Sequence, residues 1–534
     1  MSAGPVVDVL DEPVGDRVTW TTVNVGEAFP GTPTALSWSW AWWPTEYGIR
    51  GAFANLGAIS TGELLPPIRL DERAITVQHG HPALNLDLFR RIADATPGSS
   101  GDQVERSFFG SVRPGVGGAP RYRRYPVVAA RMPVAAVRCR RALLGATTEV
   151  DAWWRRSTSP DALDGLAVLA DHRAAAALLV EAHRRYARLA RPHVTLGLVA
   201  QGLYDQVGRL AARAGMAGAE ARLVPGGAEE SRLVGQLWEV SRGQRGLDRF
   251  VAEHGYHGPL ESELSSRSWR EDAAPLAKLV TAYRDAARAE SPVELAARRH
   301  REMLAAQREL LAGLGTAWRA PATALLRMAR AYLPLREVGR VTFLRSYDVA
   351  RAAARVFGSR LVELGQLDEP DEVFELSFQE IRQAGAGGVP TARELVAARR
   401  EQRLAHQRAE LPSMWTGRAR PAPVAAEPAG ALHGIGVSPG VAAGPARVLD
   451  SADGDFAEGD ILVCRSTDPS WASLFFLAAG VVIDIGGPMS HGAIVARELG
   501  IPCVINTTDG TRRLRTGEHV EIDGSTGSVL VRGS

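Results

Sequence analysis

The sequence predicts a multidomain chain: a mainly α-helical domain over residues 1–410, a proline-rich linker over 411–431, and a small α/β or β-rich domain over 432–534. Three observations predict it. At 534 residues the chain exceeds what one ordinary hydrophobic core holds. From about residue 130 to 410 helix-start signals recur, whereas beyond 432 the text breaks into short β-rich runs between Gly, Asp and Asn turns. Between the two, "LPSMWTGRARPAPVAAEPAGALHG" (411–434) has four prolines and no periodicity, the texture of a tether that lets the last domain travel.

In chain order, the first hundred residues are mixed. Five of the twelve tryptophans, Trp20, Trp38, Trp40, Trp42 and Trp43, fall there. Strand alternation aligns Trp38, Trp40 and Trp42; helical spacing pairs Trp38 with Trp42. Either way a large apolar surface results, suited to a packed seam or to the wall of a pocket for an organic acceptor, with Trp38 and Trp42 as candidates. The Gly-, Pro- and Arg-rich stretch 97–126 reads as an exposed loop or lid. Helices then begin at Ser159-Pro160, at Ser291-Pro292 with Glu294 completing a capping box, and at Ser377 with Glu380.

The terminal domain carries the feature with a chemical purpose. If "GVVIDI" is a strand and "GAIVARELG" a helix, "GGPMS" is the turn between them and His491 opens the helix. Free backbone N–H groups and the positive end of the dipole favour an anion there. Gly486 and Gly487 permit close backbone approach, and Ser490 suits both a cap and a hydroxyl donor to a phosphoryl oxygen. A neutral imidazole is a competent nucleophile near neutral pH.

Composition narrows the alternatives. Lys+Arg and Asp+Glu number 62 and 60, a net charge of +2 without long like-charged runs, so nothing marks a nucleic-acid surface. One lysine, Lys278, and no GxxxxGK[ST] exclude a Walker phosphate loop, leaving arginine, histidine and helix N-termini to handle phosphate. Cys139, Cys464 and Cys503 are too scattered for a zinc site or a disulfide framework. The pairs His79/His81 and His254/His257 lack a third ligand at recognisable spacing, so no metal site is expected. An acidic N-terminus without an export core, and no apolar run long enough to span a bilayer, point to the cytoplasm and to no membrane partner.

"GGPMSHGAIVARELGIPCVI" resembles the phosphohistidine, or swivelling, domain signature of the phosphoenolpyruvate-utilising enzymes, and the similarity runs on through "GVSPGVAAGPARVL" and "LRTGEHVEIDGSTGSVLV". "NVGEAFPGTPTALSWSW", "HGHPALNLDLFRRIADATPG", "FVAEHGYHGPLESELSSRSWRED" and "LREVGRVTFLRSYDVARAAARVFGSR" are similar to the helical acceptor-binding domain of the rifampin phosphotransferase-like branch. The resemblance implies a helical acceptor-binding domain followed by a swivelling α/β domain. His491 is then the phosphoryl carrier, and His257 or Glu261 the general base for an acceptor hydroxyl. Arg267, Arg336, Arg340 and Arg345 are candidates to steady the moving phosphoryl group, and Tyr256 joins the pocket.

Two departures qualify the expectation. Where the family commonly has His-Arg before Gly-Pro, this chain has Tyr256-His257. Its acceptor-like text begins near residue 18, with no nucleotide site before it. ATP and Mg are therefore expected on a separate ATP-grasp subunit, with no cofactor bound by this chain. The implied reaction is phosphoryl transfer to a hydroxyl of a small organic molecule. A phosphorylation-coupled dehydration and a non-catalytic binding remnant are the alternatives.

Overall fold

The computed structural model describes residues 6–532 except 24, 30, 65–67, 110–111, 169–171, 227, 287–290, 386, 422–431, 468–470 and 488–489. The helical domain includes α1 (Ala35–Leu56), α2 (Tyr125–Ser157), α3 (His172–Arg213), α4 (Ala228–Ser241), α5 (Pro292–Gly313) and α6 (Leu335–Glu363). The tryptophan run is thus helical: Thr34 caps α1 by accepting from Ser37 N, and Trp38 and Trp40 are buried. Trp40 stacks on Tyr186 of α3 at 5.3 Å between centroids and meets Tyr347 of α6 edge-on at 4.8 Å. These ring contacts, worth about 0.5–1.5 kcal/mol each beyond their burial, knit three long helices into one core.

Both expected capping boxes form, Ser291 with Glu294 and Ser377 with Glu380. The 97–126 stretch contains a helix, Gly101–Phe109, so it is not loop throughout. Buried Glu105 holds that helix to Arg90 at 3.1 Å and to Arg113 at 2.5 Å.

A small antiparallel sheet joins β1 (Thr19–Thr21), β2 (Ile75–Gln78), β3 (His81–Asn85) and β4 (Met414–Thr416) in the order β2-β3-β1-β4. Strand β4 comes from the stretch read as linker and pairs with β1, Trp20 facing Trp415. The rest of that stretch, 422–431, lies outside the described residues.

The terminal domain is an eight-stranded sheet of β5 (Leu432–His433), β6 (Ile435–Ser438), β7 (Val441–Leu449), β8 (Ile461–Cys464), β9 (Gly480–Ile483), β10 (Cys503–Ile505), β11 (His519–Asp523) and β12 (Ser528–Val531). Its order is β5-β12-β11-β7-β8-β9-β10-β6. Strands β7 to β10 run parallel, and the connections from β8 to β9 and from β9 to β10 each carry a helix. One of these is α7 (His491–Leu499), between β9 and β10. It opens at the carboxyl edge of the parallel strands, where open α/β sheets bind ligands.

The two domains share a core. Leu233, Leu237 and Phe250 of the helical domain cluster with Trp471, Phe475 and Val495 of the terminal one. Tyr283 Oη donates to the Ser473 carbonyl at 2.9 Å across the same seam. Among the described residues no helix is long and apolar enough to cross a membrane.

Candidate functional site

His491 is the first residue of α7, and Ser490 is its cap: the Ser490 Oγ accepts from Ala493 N at 3.3 Å, while Ser490 N donates to the Gly487 carbonyl at 2.8 Å. Asp484, just after β9, accepts from Thr507 Oγ1 at 2.7 Å and from Thr511 N at 3.0 Å, fastening the turn. Gly486 is buried and Gly487 half-buried. A Cβ on Gly492 would lie 2.5 Å from Ile483 Cδ1 and 2.6 Å from Thr467 Oγ1, so α7 sits flush on β9 only because glycine follows the histidine.

Packing against the helical domain buries this turn, leaving His491 5% exposed. Its Nδ1 lies 3.6 Å from Glu230 Oε1 of α4, beyond hydrogen-bond distance. Ligand atoms of Glu230, Glu337 and His491 all lie within 4.8 Å of one another. The three have the reach to hold a metal ion, a grouping the sequence expectation did not include. Arg336 and Arg340 already act on His491 as positive charges, which opposes a cation entering there.

Burial, with Arg340 next in weight, pushes the His491 imidazolium down to about 3, so the ring is neutral near pH 7. Glu230 and Glu337 share a hydrogen bond. Two buried carboxylates so close cannot both ionise, and the proton resides on Glu230: burial and the negative charge of Glu337 raise it far above the usual range. Burial opposes ionisation of Glu337 as well, but the hydrogen bond from Glu230, together with His491, Arg336 and Arg340, holds it low. Burial and the Glu337 charge likewise raise Glu498 of α7.

His257 and Glu261 form the second half of the site. Both are buried, and His257 Nδ1 is hydrogen-bonded to Glu261 Oε1. Burial pushes the Glu261 carboxyl up to about 7, with Arg340 and Arg351 pulling against it and Glu337 adding to it. Arg340 Nη2 is 3.7 Å from Glu261 Oε2. Arg345 lies over the Tyr256 ring at 4.7 Å and pairs with Asp151 at 3.1 Å. Where the family motif has His-Arg before Gly-Pro, this chain has Tyr256-His257, so His257 stands at the arginine's position, and Arg340 and Arg345 of α6 lie beside the pair. A void of about 10 Å³, room for roughly one water, is lined by Glu230, Tyr256, His257, Glu337 and Arg340.

A close backbone approach fixes His257. A Cβ on Gly258 would fall 2.5 Å from the Arg267 carbonyl oxygen and 2.9 Å from Ser268 Cα. Gly258→Ala is therefore expected to lower stability by about 1–3 kcal/mol through overpacking, read as a fall in the denaturation midpoint. An unchanged midpoint would show that the loop yields freely.

Other expected site residues lie elsewhere. Arg267 has its backbone beside Gly258, but its side chain is exposed and pairs with Asp371 at 3.3 Å, so it is turned to the surface rather than to His491. Trp38 is buried edge-on against Phe29, and the Trp42 ring lies 5.2 Å from the Arg73 guanidinium. Neither tryptophan lines the void or the larger cleft described below; they are seam, because a helix buried on several sides consumes its apolar residues in packing. Glu230, Glu337 and Glu498 escaped sequence reasoning. Only Glu337 left a signal, a carboxylate between Arg336 and Arg340 on one helical turn.

Comparison with known proteins matches residues 456–527 to the family described as PEP-utilising enzyme, mobile domain, and residues 203–337 to the rifampicin phosphotransferase fourth domain. A rifampicin phosphotransferase of a Streptomyces species is 33% identical over 330 residues, which are 57% of this chain and 36% of that protein. An uncharacterized protein of Mycobacterium tuberculosis is 35% identical over 282 residues, 52% of this chain and 30% of its own length. The prodigiosin synthesizing transferase PigC of Serratia marcescens is 31% identical over 307 residues, 54% of this chain and 33% of its own. The matched stretch is thus about a third of each relative. In both its helical and its mobile-domain segments, the chain is similar to the rifampicin phosphotransferase-like branch of the phosphoenolpyruvate-utilising enzymes.

Proposed function

We propose that the chain is a phosphohistidine-dependent phosphotransferase component, in which His491 takes a phosphoryl group derived from ATP and passes it to a hydroxyl of a small organic molecule in the cytoplasm. ATP and Mg bind on a partner polypeptide or a segment outside these 534 residues. One observation carries the reading: the histidine of the mobile-domain signature is seated against Glu230 and Glu337 and under the charge of Arg336 and Arg340 of the helical domain.

In the transfer step the acceptor oxygen attacks phosphorus, and the P–N bond to His491 breaks with its electron pair returning to the ring. His257, oriented by Glu261, takes the hydroxyl proton, and the products are a phosphomonoester and neutral His491. Arg336 and Arg340 offset the charge spread over the phosphoryl oxygens.

The direct test incubates the full chain with labelled ATP and a candidate ATP-binding partner, and separately with phosphoramidate as a partner-independent donor. Acid-labile phosphate mapped to the His491 peptide is the expected result; no label there from either donor sinks the proposal. Discharge of that label to water or glycerol, as surrogate acceptors, follows the base. The rate rises as pH passes through about 7, because the Glu261 carboxyl is raised to about 7 and the pair accepts a proton only when ionised. Arg340 favours the carboxylate, so Arg340→Gln is expected to move the rising limb to higher pH. A limb that stays put assigns the ionisation to another group.

A further inference from the structure

Beside the site lies a cleft of about 490 Å³, within the range of small-molecule pockets. Both domains build it: Tyr204, Arg222, Arg299 and Arg336 come from the helical side, and Val437, Ile494 and Arg497 from the terminal side. Glu337 lines this cleft and also the small void against His257, so the two spaces meet at the first turn of α6. The void has room for a water at most, and any acceptor body must lie on the cleft side of Glu337.

The wall is unbalanced in charge. Arg222, Arg299, Arg336 and Arg497 face Glu302, Glu337 and Glu498, and burial with the neighbouring Glu337 raises the Glu498 carboxyl above its usual range. Glu302 is shared between Arg298 at 3.7 Å and Arg299 Nη1 at 3.5 Å. Arg497 Nε donates to the Val437 carbonyl at 2.7 Å, which fixes its stem and leaves its Nη groups for the cleft. Arg299 Nε is buried without a hydrogen-bond partner. Met303, Leu333 and Ile494 add an apolar flank.

We propose that this cleft is the acceptor site and takes an organic anion, its carboxylate or phosphate held by Arg222, Arg299 and Arg497, its apolar body on Met303, Leu333 and Ile494, and its hydroxyl turned toward Glu337 and His491. The proposal rests on the phosphoryl-transfer reading for the word acceptor, but the anion site stands on its own chemistry. Because both domains supply its walls, an occupant also holds the terminal domain in place.

The probe is 1-anilinonaphthalene-8-sulfonate, an apolar ring system bearing one anion, and its comparator is N-phenyl-1-naphthylamine, the same rings without the sulfonate. The full chain is expected to bind one sulfonate per molecule. The double variant Arg222→Gln, Arg299→Gln loses about tenfold or more of that affinity, the cost of removing charge-assisted contacts, with the neutral probe held within about twofold. The arginines are on the rim or half-buried, and an unchanged melting curve confirms that the variant folds. Equal loss of both probes, or no loss of the sulfonate, overturns the proposal.

A second readout ties the cleft to the site. The sulfonate slows carbethoxylation of the buried His491, followed on its own peptide by mass spectrometry, in the wild-type chain and not in the double variant. Slowing equal in both overturns the link. None of these measurements uses a phosphoryl donor, so a His491 that never labels removes the transfer reading and leaves the anion site, and the reverse outcome does the opposite.

Discussion

His491→Ala is expected to abolish acid-labile labelling and discharge altogether, not to reduce them. The carrier's lone pair sits on a ring that burial keeps neutral, at the start of a capped helix whose free N–H groups favour an incoming anion. Among the described residues its immediate neighbours are poor substitutes: Glu230 and Glu337 share one proton, and Ser490 Oγ caps α7 by accepting from Ala493 N. The fold should survive, because Ser490 still caps α7 and alanine is an excellent helix former. Thermal melts should therefore shift by no more than the lost packing of one imidazole, about 1–2 kcal/mol. Labelling that persists in His491→Ala would falsify the carrier role, whatever happens to stability.

The turn that carries His491 was readable in the sequence because its architecture is local. Strand, glycine turn, serine cap and helix follow one another within twenty residues, and each has a chemical signature that survives without the rest of the fold. Arg336 and Arg340 came from the resemblance rather than from a local pattern, and α6 sets them one helical turn apart. Glu230 and Glu498 were not. Nothing near either residue marks it, and each becomes informative only when docking of the terminal domain places it beside Glu337. The tryptophans misled for the opposite reason. Strand and helix periods both bring Trp38 and Trp42 to one face and part only at Trp40, and burial on several sides of α1 erases the polar face that would have separated them. Strand β4 was missed because three residues carry little pattern and its partner Thr19 is 397 residues from Thr416. The shared core behind α4 likewise has no sequence signature, although it converts a tethered domain into a docked one.

His257→Asn should separate discharge from charging. The dyad is built as an oriented base: Glu261 holds His257 Nδ1, which leaves the other ring nitrogen to take a proton. General-base catalysis is worth about 10²–10⁴ in rate, so the phosphohistidine in His257→Asn should discharge to glycerol that much more slowly while His491 still accepts phosphate. Glu261→Gln should cost less than His257→Asn, since an amide oxygen can still accept from Nδ1 and only the carboxylate's charge is gone. It should also flatten the rise with pH near 7, because the group raised to about 7 has been removed. A merely structural role predicts something else: both variants would lose charging and discharge in parallel with a lowered melting temperature, and the pH profile of the remaining activity would keep its shape. The ordering of the two variants therefore decides whether His257 and Glu261 act as a base and its orienting partner, or only as a buried hydrogen-bonded pair that supports the seat for His491.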